Sequence, residues 1–229
     1  MQATGAELVL ASHDHDDERF TSQYADDDRD DITGANMKDN TSSSSRLFFA
    51  LWPDDATRTA LTQLQTSMHG RKVSYNNFHL TLAFLGQQAA AILPAAKEIL
   101  AHLAASDILI TLDKLGYFSR NHIAWVGPHE TPEALLALYQ DLCTELKKHG
   151  IGYTASSSFK AHVTLARDAS LPPDVVFDPI DWRADEVALV QSITGAGGSE
   201  YRVLASRSLG EVLRVPGEVI GEQISGGAR

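Results

Sequence analysis

The feature that most constrains this chain is a strand pattern that occurs twice. Phe78-His79-Leu80-Thr81-Leu82-Ala83 returns as Ala161-His162-Val163-Thr164-Leu165-Ala166, 83 residues later. In an extended strand, residues i and i+2 point to the same face. His79 and Thr81 therefore share one face, with Leu80 and Leu82 on the other; His162 and Thr164 are set likewise against Val163 and Leu165. Each strand can bury its apolar side and present an imidazole and a hydroxyl opposite. Two such strands brought together would place two histidines and two threonines around one small cleft. A lone histidine in an apolar strand is ordinarily packing or surface, and a lone threonine there is simply a good strand former. Two copies of one pattern, one in each half of the chain, point instead to a shared site.

The chemistry suited to that set is hydrolysis of a cyclic phosphodiester. In-line attack on phosphorus needs a base behind the entering water and an acid at the leaving oxygen. Histidine titrates near neutrality, so one imidazole can be neutral while the other carries a proton. Threonine hydroxyls can donate to the non-bridging oxygens, where negative charge must be stabilised. The scheme requires no metal and no cofactor. His69, His102, His122, His129 and His149 lack such company and are read as structural or solvated.

Around these motifs the pattern is of mixed elements. Leu47-Phe48-Phe49-Ala50-Leu51-Trp52 is apolar on both faces, as a buried strand requires. Leu61, Leu64 and Met68 form a helical stripe after Pro53-Asp54-Asp55. A strand is expected from Phe78 to Leu85, then a helix from Ala89 to Ala105 with Pro94 in its first turn. Strands follow at Ile108–Leu112 and His122–Val126. The clearest helix runs from Pro132 to His149, with Thr131 as N-cap and Lys147 and Lys148 complementing the dipole. Beyond the second motif, a Leu171-Pro172-Pro173 loop leads to two strands, Asp185–Thr194 and Glu200–Ser206, joined by Gly195-Ala196-Gly197-Gly198. Strands with hairpins and outer helices give an α+β fold.

The ends differ from the middle. Residues 1–45 hold 11 acidic and 3 basic residues of a chain whose net charge is −11, and they show no apolar periodicity. That segment is read as a disordered acidic tail, including His13-Asp14-His15-Asp16-Asp17, which without a scaffold is a poor metal site. Met37 is a candidate alternative start. The remainder is close to charge balance, so a local basic cleft is compatible with it, whereas a broad surface for long duplex DNA is not. Residues 46–209 form the expected bilobal domain and 210–229 a loose, glycine-rich tail. One cysteine, Cys143, excludes an internal disulfide. The start of the chain has no basic-then-apolar signal, and no apolar run reaches the roughly 18 to 20 residues of a membrane span. A cytoplasmic protein without a membrane or stable protein partner is expected.

The two motifs, with Arg46–Trp52, Asn76-Asn77 leading into His79, Leu112–Phe118 and Tyr201-Arg202-Val203-Leu204, resemble the two-histidine phosphoesterase superfamily. The resemblance spans about Arg46 to Leu209. The similar branch is that of the RNA 2′,3′-cyclic phosphodiesterases, also called 2′-5′ RNA ligases. It implies two lobes related by a pseudo-twofold, with duplicated antiparallel sheets, outer helices and a central cleft. It also implies hydrolysis of 2′,3′-cyclic phosphate ends of RNA, or of small cyclic nucleotides, to 2′-phosphomonoesters. Related chemistry would join or cleave 2′-5′ linkages. By this resemblance His79 is the proton donor to the 3′ oxygen, His162 the base, Thr81 and Thr164 substrate contacts, and Arg167 a phosphate contact. Strict alternation would put Arg167 on the face opposite His162, so the strand must bend or end before it. Members often carry proline before the second histidine, where this chain has Ala161. Lys160, Arg71 and Lys72 are candidates for the cleft rim, and Tyr75, Tyr117, Phe118 and Phe159 are candidates for base stacking. Two other readings are a binding module for RNA ends or nucleotides without turnover, and a phosphodiesterase for ADP-ribose cyclic phosphate or 2′-5′ oligoadenylate.

Overall fold

A computed structural model describes residues 44–103, 106–154, 159–195 and 198–210. The acidic tail, apart from Ser44 and Ser45, lies outside the described residues. So do Met37, the tip of the last hairpin and 211–229. The elements in chain order are β1 (Ser44–Leu51), α1 (Asp55–Gln65), β2 (Arg71–Lys72), a 3₁₀ turn (Tyr75–Asn77), β3 (Leu80–Ala89), α2 (Leu93–His102), β4 (Ile108–Leu112), β5 (Lys114–Phe118), β6 (Ile123–Gly127), α3 (Glu133–Lys148), β7 (Val163–Arg167), β8 (Ile180–Ala184), β9 (Glu186–Gly195) and β10 (Gly198–Ser208).

The main sheet runs β10-β9-β1-β3-β7-β6-β5, with β2 added beside β7. Its first half is built on β1, α1 and β3; its second repeats that unit as β6, α3 and β7. Between β3 and β7 the halves meet through one pairing among the described residues, Leu80 with Val163. A separate ribbon, β4 with β8, covers part of the core.

Apolar residues of both halves share one core. Leu80, Leu82, Val163 and Leu165 are all buried in it, together with Leu61 and Leu64 of α1 and Leu135, Leu138, Leu142 and Leu146 of α3. Removing a side chain of that kind from water is worth about 1.5–3 kcal/mol. Helix α1 starts where Asp54 accepts the Thr57 amide at 2.7 Å, which satisfies one of the unpaired donors of the first turn. At its other end the buried Gln65 donates to the carbonyls of Val73 at 2.8 Å and Leu165 at 2.6 Å. The helix of the first half is thereby fastened to the motif strand of the second.

Several expected boundaries move. Strand β3 runs on to Ala89 because β1 begins at Ser44 and pairs with it there, so α2 starts at Leu93 after a short 3₁₀ turn. At the head of α3, Pro132 occupies the capping position and Thr131 makes no side-chain cap. Strands β5 and β8 were not anticipated.

Candidate functional site

The opposite face of the sheet carries the site. Pairing Leu80 with Val163 sets His79 across from Thr164, and Thr81 across from His162. His79 and Thr81 are partly exposed, whereas His162 and Thr164 are buried.

Both motif strands contain a β-bulge at the same point. In β7, Thr164 pairs with Trp125 and Ala166 with Ala124, leaving Leu165 as an extra residue. In β3, Thr81 pairs with Ala50 and Ala83 with Phe49, leaving Leu82 extra. A bulge inserts one residue and shifts the side-chain alternation. Leu82 and Ala83 therefore both enter the core, as do Leu165 and Ala166. The next residue returns to the cleft face: Phe84 in the first half, Arg167 in the second. That resolves the parity conflict for Arg167, which lines a hollow of about 120 Å³ together with His79, Thr164, Asn77, Ser199 and Tyr201.

The two imidazoles are held alike. His79 Nδ1 lies 2.7 Å from the carbonyl of Asn77, and His162 Nδ1 lies 2.8 Å from the carbonyl of Lys160. A carbonyl accepts and cannot donate, so Nδ1 carries the proton in both rings. Each Nε2 is consequently the nitrogen left for chemistry. Burial pushes both histidines down to about 4, against the opposing pull of those carbonyls. Arg167 depresses both further, Lys160 adds to the effect at His162, and His162 adds to it at His79. One guanidinium and the two imidazoles thus share one electrostatic environment. An anion entering it would raise both histidines.

Aromatic walls enclose each ring. His79 stacks with Trp52 at 5.8 Å between centroids and 18° between planes, and meets Phe48 and Tyr201 at 5.0 Å each. His162 meets Phe118 edge-on at 5.1 Å and Trp125 at 6.0 Å. The Lys160 ammonium lies over both of those rings, at 5.3 and 5.0 Å. Gly116 lies directly across from Trp125, and a Cβ there would come within 2.0 Å of the indole. Of the aromatic residues suggested by sequence, Phe118 reaches a motif histidine, His162. Phe159 stacks on Tyr139, Tyr75 binds Asp55 on α1, and Tyr117 bonds His122 and the Ala169 carbonyl. Trp52, Phe48, Trp125 and Tyr201 were missed, since strand pairings remote in sequence bring them in.

Of the basic residues, Arg71 and Lys72 both line the hollow; Arg71 pairs with Asp168 at 3.2 Å and the Lys72 ammonium donates to the Thr66 carbonyl. Arg71 sits directly across from Arg167 in the β2–β7 pairing. Gly70 permits that approach with φ of +106°, and a Cβ there would meet the backbone of Arg167, Asp168 and Ala169 at 2.6–2.8 Å. Among the described residues no group of three or more histidine, cysteine or acidic side chains is arranged to hold a metal, and no helix is long and apolar enough to cross a membrane.

A family profile described as the 2′-5′ RNA ligase superfamily matches residues 53–196. The chain belongs to this superfamily. An RNA 2′,3′-cyclic phosphodiesterase of Thermus thermophilus is 32% identical over 199 residues, spanning 79% of this chain and 99% of that protein. One from Escherichia coli K12 is 28% identical over 169 residues, 71% of this chain and 96% of its own length. The crystal structure of E. coli LigT complexed with 3′-AMP superposes with a TM-score of 0.62 at 28% identity, covering 73% of this chain and 99% of that one. The superfamily match lies over both motifs, and the fold is the α+β arrangement that the motifs implied.

Proposed function

We propose that this member of the 2′-5′ RNA ligase superfamily is an RNA 2′,3′-cyclic phosphodiesterase, with His79 and His162 as its catalytic residues. The observation that carries the reading is the matched pair of Nδ1–carbonyl bonds, which leaves Nε2 as the available nitrogen of both histidines at the ends of two paired strands. The names of the relatives support the activity.

In the proposed reaction the cyclic phosphate lies between the imidazoles. His162 Nε2 takes a proton from water as the water oxygen attacks phosphorus from the side away from O3′. The P–O3′ bond breaks, and His79 Nε2–H gives its proton to the departing oxygen. The product carries a 2′-phosphomonoester and a free 3′-hydroxyl. One proton has entered the pair at His162 and one has left at His79, so exchange with solvent restores the starting state. Thr81 and Thr164 donate to the non-bridging oxygens, and Arg167 balances their charge. When a ribose hydroxyl replaces water, the same geometry forms or reverses a 2′-5′ linkage.

Incubation with an oligonucleotide ending in a 2′,3′-cyclic phosphate, in the presence of EDTA, tests this. Conversion to the 2′-phosphate is expected. Tight binding of the oligonucleotide without product would instead make the protein a binding module. Preference for ADP-ribose cyclic phosphate or 2′-5′ oligoadenylate in competition would reassign the substrate.

A further inference from the structure

The residue two places before each histidine does more than lend a carbonyl. Asn77 and Lys160 occupy equivalent positions, 83 residues apart like the histidines themselves. At both, the main-chain oxygen receives the Nδ1 proton. At both, the side chain also bonds out of its own segment, Lys160 to the rings around its histidine and Asn77 to the main chain of the strand that carries one such ring. The Asn77 amide donates to the Ser199 carbonyl at 2.8 Å, two residues from Tyr201, whose ring meets His79 edge-on. The Lys160 ammonium lies over Phe118 and Trp125, the rings that enclose His162. The two side chains differ in chemistry, one an amide and one a cation, yet each ties the residue whose carbonyl holds a histidine to an element that flanks that histidine: β10 for Asn77, and the Phe118 and Trp125 rings for Lys160.

We propose that Asn77 and Lys160 are paired positioning residues, each locking one imidazole in the tautomer and orientation that direct its Nε2 at the phosphate. The assignment rests on the two-histidine reading given above. Its physical basis is that a carbonyl defines a tautomer only if its own direction is fixed. The Asn77 peptide ends a single 3₁₀ turn with no side-chain cap, where the Asn77 amide N–H bonds the Ser74 carbonyl at 2.8 Å. The bond from its side chain to β10 is its long-range anchor, spanning 122 residues of sequence. On the other side, Lys160 precedes β7 outside the sheet ladder, and the cation over the two rings is an anchor of corresponding kind.

The experiment uses the full chain with ¹⁵N-labelled histidine. Long-range ¹H–¹⁵N spectra at neutral pH read the tautomer of each ring, and kinetics on the cyclic-phosphate-ended oligonucleotide are measured in parallel. Asn77→Ala and Asn77→Asp, which both lose the donor, are expected to turn His79 into a tautomer mixture while leaving His162 unchanged. Lys160→Met should do the converse, and Lys160→Arg, which keeps a cation able to sit on the rings, should restore the wild-type signal. Each loss variant should lower kcat about 10- to 100-fold, the scale on which misplacement of about 1 Å acts, with KM changed much less.

Thermal melts that stay cooperative establish that the variants fold. Persistence of the Nδ1–H form at His79 in both Asn77 variants would overturn the proposal, as would both histidines moving together in either variant. Failure of the wild-type protein to turn over the oligonucleotide would refute the proposed function alone, because the tautomer measurement needs no substrate.

Discussion

Leu80 of β3 and Val163 of β7 are direct cross-strand partners at the seam between the halves. Each follows its histidine by one residue, so the seam crosses each motif at the same place. The pairing sets His79 opposite Thr164 and His162 opposite Thr81, so each half contributes one histidine and one threonine.

Such an arrangement makes the histidines a unit. His79→Ala and His162→Ala are each expected to lower kcat by about 10²–10⁴-fold, the usual share of general acid or base work. The double variant should lose far less than the product of the two, as groups acting in one step do. Single-turnover kinetics on the three proteins would check this. Multiplicative losses would mean that the rings act in separate steps.

The rate should depend on pH in a manner that two ordinary histidines would not produce. With both rings held down to about 4 in the empty cleft, kcat/KM, which follows the free enzyme, should reach its maximum on the acid side of the ordinary imidazole value. Bound phosphate stabilises the protonated form of His79, so the alkaline limb of kcat should lie at higher pH than that of kcat/KM. Profiles from pH 4 to 9 would show the separation. A flat response from pH 5 to 9 would remove the two-histidine assignment.

Stability should respond to the same groups. A histidine whose folded value is depressed favours folding in its neutral form, so its contribution is complete above about 6.5 and is lost as pH falls toward about 4. For the buried His162 the loss is on the order of 3 kcal/mol, by converting the shift from the ordinary value to about 4 at the usual free energy per pH unit. Urea denaturation at pH 7 and pH 4.5 should show that drop in the wild-type protein and a smaller one in His162→Asn. An equal drop in both would locate the effect elsewhere.

Gly70 links backbone geometry to the cleft. Gly70→Ala places a side chain at positive φ against the backbone of Arg167 and its neighbours, at a cost of about 1–3 kcal/mol for the strained conformation. The urea midpoint should fall, and kcat/KM should fall with it as β2 moves away from Arg167. Retention of both values would show that the β2–β7 contact is dispensable.

The placement of the two histidines was legible because its information is local. Alternation in a strand places His79 with Thr81 and His162 with Thr164 whatever the surroundings, and duplication separates them from the other histidines. Arg167 was half legible: the sequence set a parity conflict, and the Leu-Ala pair that ends both motifs, two core residues in succession, was the available sign of a bulge. Strand β8 also left a trace, in the strict buried-exposed alternation of Ile180-Asp181-Trp182-Arg183-Ala184, but the proline-rich approach obscured it. The aromatic walls were not legible. Trp52 and Tyr201 reach His79 through pairings of β1 with β3 and of β9 with β1 and β10, and no short-range pattern encodes such contacts. The extension of β3 to Ala89 was hidden likewise, since it depends on Ser44–Arg46 lying alongside.

The repeated bulge also sets a rule for anyone wishing to copy this site. A straight strand bearing His-x-Thr would supply the imidazole and the hydroxyl, yet five positions beyond the histidine its arginine would point into oil rather than toward the anion. What has to be transplanted is therefore the irregularity in the backbone, and a library that varies side chains on an ideal sheet would not find it.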